Sequence, residues 1–88
     1  MPVLSLFYGI IVRMCAEIDR KHHTPYIIAV YAGEEAAISL DGKVLEGDLP
    51  KSKLRLVEAW IVIHHDDLAA NWQLCTEGEQ IFQIDPLK

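Results

Sequence analysis

Apolar positions along the chain change pattern three times: short β-branched runs, then an alternating hairpin, then a long stretch with helical spacing. Residues 7–14, FYGIIVRM, predict a strand in which Gly9 marks a bulge or a close backbone approach. Residues 17–24 are polar and aperiodic and end at Thr24 before Pro25, whose ring pushes its predecessor toward an extended conformation, so an exposed loop is expected. A second strand, YIIAVY at residues 26–31, closes at Ala32-Gly33. Asp41-Gly42 then predicts an antiparallel hairpin with a two-residue type I′ turn. That turn sets Leu40 opposite Lys43, Ser39 opposite Val44 and Ile38 opposite Leu45, with Ala36 and Gly47 beside the last pair on the face that covers the core.

From Pro50 to about Glu77 the period becomes helical, with Pro50 suited to a first turn and Gly78 to termination. Leu54, Val57, Ile61, Leu68, Trp72 and Cys75 form one apolar stripe expected to pack on the sheet. A second set, Leu56, Trp60, Ile63 and Leu74, lies roughly opposite, with Arg55, Glu58, Asp66 and Gln73 between the two. One sheet cannot cover both stripes. Either the chain ends, residues 1–6 and 81–87, wrap over the second set, or that set is a partner-binding surface centred on Trp60, tryptophan being enriched at binding hot spots. The expected architecture is a single α+β domain over residues 1–88, an antiparallel β-meander of about four strands packed on one long C-terminal helix.

Length and charge narrow the function. A chain of 88 residues buries only about 60–65% of its unfolded surface, and a 51% hydrophobic content leaves apolar area that a partner would cover. The net charge of -5 opposes the broad basic face that duplex nucleic acid requires. The apolar stretches at residues 3–12 and 26–32 fall short of the roughly 20 residues that cross a bilayer, and no signal-peptide pattern accompanies them. The cytoplasm is therefore the expected location, with Cys15 and Cys75 reduced.

Candidate chemistry is sparse. His22 and His23, with Asp19 three residues before His22, have a spacing loosely compatible with a metal pair, but zinc takes three or four protein ligands. In the helix, His64 and Asp67 share a side at i, i+3, whereas the consecutive His64-His65-Asp66-Asp67 diverge by about 100° per residue. Arg13, Lys21, His22 and Lys51 could form a cationic cluster of the kind that cleaves RNA by general acid and base chemistry. Ser5, Ser39, Ser52 and the two cysteines lack a nucleophile elbow or a base at suitable spacing. No cofactor is expected.

The segments MPVLSLFYGIIVRM, HHTPYIIAVYAGEEAAISL, VLEGDLP and LRLVEAWIVIHHDDLAANWQL together resemble the small bacterial family catalogued as domain of unknown function 4160. The resemblance spans nearly the whole chain. It implies no assigned activity, and it implies a frequent gene neighbour from a second small family, domain of unknown function 2442, the pair being nominated as a toxin and antitoxin module. The family's proline followed by His-x-His is replaced here by Tyr26 and Ile28 after Pro25. The leading expectation is a non-catalytic interaction component that binds a second copy of itself or such a neighbour-encoded protein. The alternative is an RNase-like or metal-dependent toxin using His22, His23, Arg13 and His64. A DNA-binding regulator ranks last, because the single long helix has no second helix at turn spacing.

Overall fold

A computed structural model describes residues 2–14 and 24–87. Five strands, β1 (Val3–Phe7), β2 (Ile10–Arg13), β3 (Tyr26–Tyr31), β4 (Glu34–Ser39) and β5 (Val44–Gly47), precede two helices, α1 (Lys51–Ile63) and α2 (His65–Thr76). The strands pair in chain order, each antiparallel to the next, so the expected α+β meander is present with one strand more than anticipated.

The extra strand comes from residues 3–7. Gly9 is not a bulge inside one strand; with Tyr8 it forms a two-residue turn, both at positive φ (49° and 77°), closing a hairpin that pairs Phe7 with Ile10. Ala32 and Gly33 repeat this geometry between β3 and β4, at φ 51° and 82°. Such primed turns match the right-handed twist of the flanking strands. Within β1 the partner of Arg13 is Val3 and the partner of Val12 is Ser5, so Leu4 is an extra residue and both Leu4 and Ser5 are buried.

The β4–β5 connection also differs from expectation. Gly42, at φ 90°, follows a turn closed by its own N–H on the Ser39 carbonyl at 3.0 Å, and Ser39 N–H bonds the Lys43 carbonyl at 2.8 Å. This is a three-residue loop, which slips the register by one and sets Ile38 opposite Val44 instead of Leu45. An irregularity at Leu45 takes up the slip, and Ala36 faces Gly47 as anticipated.

The helical region is two helices and not one. His64, at φ -108° and ψ 24°, interrupts regular helix geometry, although its N–H still bonds the Trp60 carbonyl and its carbonyl accepts from Leu68, both at 2.9 Å. Asp66 and Asp67 fall in the first turn of α2, where carboxylates suit the positive end of the helix dipole. At the other end Gly78 N–H bonds the Cys75 carbonyl and Glu79 N–H bonds that of Leu74, the paired reverse bonds that end a helix at a glycine with positive φ.

Val57, Ile61 and Leu68 of the first stripe are fully buried against Ile10, Val12, Ile27 and Ile38 of the sheet, with Leu54 and Trp72 packed at the margin. Each such side chain contributes about 1.5–3 kcal/mol. The second stripe divides. Trp60 is fully buried, its ring 5.4 Å from Phe7 and its indole N–H donating to the Asp85 carbonyl at 2.8 Å. Residues 81–87 run over this side as a strap: Ile84 is buried and its N–H bonds the Leu4 carbonyl at 2.8 Å, while buried Asn71 exchanges two 2.9 Å hydrogen bonds with the backbone of Phe82. Of the two readings of this stripe, cover by residues 81–87 is the one present, and a surface centred on Trp60 is corrected. Leu56 and Leu74 are partly covered, and Ile63 alone of the four stands well out.

Cys75 is another correction. It is disulfide-bonded and not the reduced thiol expected; the chain's other cysteine, Cys15, lies outside the described residues.

Candidate functional site

Four consecutive apolar residues, Trp60 to Ile63, close α1. Successive helical residues circle the axis and cannot all point inward, so burial of Trp60 and Ile61 turns Val62 and Ile63 outward, 77% and 64% exposed. Beside them an open groove of about 590 Å³ runs between the β4–β5 loop and the helices, lined by Leu40, Asp41, Glu58, Ile61, Val62 and His65 among others. Its floor is apolar and its rim carries two carboxylates and an imidazole.

The loop side of the groove is tied by hydrogen bonds. Buried Ser39 donates its hydroxyl to the Asp41 carboxylate and accepts the Lys43 N–H at 3.1 Å. The hydroxyl bond outweighs desolvation and, with smaller help from nearby backbone N–H groups and the Lys43 charge, holds the Asp41 carboxyl below its ordinary range. Across the groove, the Glu58 stem rests against the loop, its Cγ 3.9 Å from where a side chain on Gly42 would begin.

Among the described residues, those expected to carry chemistry do not converge. His64 Nδ1 is 3.9 Å from an Asp67 carboxylate oxygen, and His65 Nδ1 is 3.8 Å from Asp66, two separate pairs on one helix turn. His22 and His23, together with Asp19 and Lys21, lie outside the described residues. Arg13 alternates with the buried Val12 and Met14, so it occupies the sheet face away from the helices, whereas His64 sits in the helix layer with its ring 5.6 Å from Trp60. The sheet stands between these two candidates. Lys51 opens α1. Among the described residues, no three His, Cys, Asp or Glu side chains are placed to share a metal ion.

Sequence reasoning missed Val62 and the groove. The signal for Val62 was the unbroken apolar run at the end of α1, longer than one helix face can bury. The groove had none, because it depends on how the three-residue loop leans on Glu58. Asn71 also went unremarked; a polar residue three after Leu68 on a buried stripe signals a backbone partner brought from elsewhere.

A family model described as "Domain of unknown function (DUF4160)" matches residues 9–73, from the first hairpin turn into α2. No curated protein and no solved structure shows a match. No helix among the described residues is long and apolar enough to cross a membrane.

Proposed function

The chain belongs to the family of domain of unknown function 4160, and on that premise we propose that it is a non-catalytic protein-protein interaction component. The observation that carries this reading is the pair Val62 and Ile63, two large apolar side chains adjacent on one helix turn and open to water beside an apolar groove. Water contact of that kind is relieved when another protein covers it. The charged rim supplied by Asp41, Glu58 and His65 adds orientation to such contact. Membership of a two-gene toxin and antitoxin module, with a domain of unknown function 2442 protein as the other member, belongs to the same proposal. So does a cytoplasmic location, which requires the Cys75 disulfide to persist in a compartment that ordinarily keeps cysteines as thiols.

Expression of the chain alone, followed by light scattering and an RNA-cleavage assay on purified material, tests the reading. The expected result is normal growth, intact RNA and a mass above that of one chain, or a complex once the neighbour-encoded protein is added. The substitution pair Val62→Asp with Ile63→Asp is expected to abolish the assembly while the circular dichroism spectrum stays unchanged. RNA cleavage that disappears in His64→Ala, from a chain that never associates, would overturn the reading.

A further inference from the structure

The exposed side of the helices carries an ordered charge pattern. Arg55, Ala59, Val62 and Asp66 are all exposed and follow one another at spacings of four, three and four, a single stripe along α1 into the first turn of α2. At the junction His64 keeps both of its own helical bonds, its N–H to the Trp60 carbonyl and its carbonyl from Leu68, so α2 runs on from α1 and Asp66 follows Val62 by about one turn. Positive charge lies at one end of the stripe and negative charge at the other, about 16 Å apart by helix rise, with a small and a medium apolar residue between.

Such a stripe complements an inverted copy of itself. A two-fold axis passing between Ala59 and Val62 brings each Ala59 against the other copy's Val62 and each Arg55 against the other copy's Asp66. Alanine at the centre allows the axes to approach to about 8 Å, the near end of the usual range. Glu58 is the one charge close to the centre, and its stem is already turned toward the β4–β5 loop. The Asp66 carboxylate has the His65 imidazole 3.8 Å away and is otherwise fully open to solvent.

We propose that this stripe is the contact of a two-fold symmetric homodimer, α1 of one copy lying antiparallel to α1 of the other, with Arg55 of each paired to Asp66 of its partner. The inference rests on the interaction reading and names its partner as a second copy. Isologous contact requires this: one surface must carry both halves of each pair. A single helix pair is a small interface, so dimerisation in the micromolar range is expected.

Light scattering of the full chain from about 10 μM to 1 mM measures the association. Arg55→Asp and Asp66→Arg, each alone, place two like-charge pairs in every dimer and should weaken it about ten- to hundredfold. The double variant exchanges the charges and should restore it; Val62→Asp should abolish it with no rescue. Circular dichroism checks that each variant is folded. A wild-type chain that stays monomeric, single reversals that keep the dimer, or a double variant as monomeric as the singles would each overturn the arrangement. Should the monomer still bind the neighbour-encoded protein through Val62 and Ile63, the homodimer falls and the interaction reading survives.

Discussion

Ser5 shows how a register irregularity reaches a single atom. The extra residue at Leu4 turns Ser5 inward, and its hydroxyl is buried with no hydrogen-bond partner among the described residues. An unmet buried hydroxyl costs about 1–3 kcal/mol, so Ser5→Ala is expected to raise stability by about 1 kcal/mol in urea denaturation. Asn71 is the opposite case. Both halves of its amide are satisfied by Phe82, and Asn71→Ala should cost about 1–3 kcal/mol and speed proteolysis within residues 81–87 before the sheet opens. Asp41 gives a pH signature. Its depressed carboxyl stabilises the folded loop above the ordinary value of 3.8 and loses that contribution as pH falls through its lower folded value. Because the Ser39 hydroxyl is the largest cause, Ser39→Ala should return the Asp41 midpoint toward 3.8 in a carboxylate NMR titration.

Hairpin chemistry decided how much of each element could be read from the chain. Asp41-Gly42 announced a turn, and the helical period announced a helix ending at Gly78, because both signals are local. The first turn was disguised by Tyr8, a bulky residue that rarely takes positive φ, so Gly9 read as an interruption of one strand. The break at His64 was invisible, since apolar spacing continues across it. Ala32 occupies the same strained position as Tyr8, and Ala32→Asn, the preferred residue there, should stabilise the protein by about 0.5–1 kcal/mol in thermal melts. Gly47 tolerates nothing larger. At φ 76° a side chain there would run into the Glu35 carbonyl oxygen, so Gly47→Ala should cost at least about 2 kcal/mol. Gly33→Ala, where nothing lies within 4 Å, should cost only about 1 kcal/mol.

For the whole molecule, the sequence was enough to read the sheet-facing stripe but left two readings open for what lies on its other side. Helical spacing fixes which residues share a face and left Trp60 either covered by a chain end or open to a partner; the bond from its indole to Asp85 decides for the cover. The same limit hid the disulfide state of Cys75. The native protein should show no alkylation of Cys75 until a reductant is added, and loss of the bond should lower stability by about 2–4 kcal/mol.

The strap also sets an order of events during synthesis. All five strands join neighbours in sequence, so hairpins can close as they leave the ribosome, but Ile84 and Asp85 emerge only after both helices. Until they arrive, the Trp60 indole lacks its acceptor and the Leu4 carbonyl lacks its donor. A nascent chain, or one clipped ahead of Ile81, therefore offers chaperones and proteases an unsealed apolar flank on an otherwise assembled sheet.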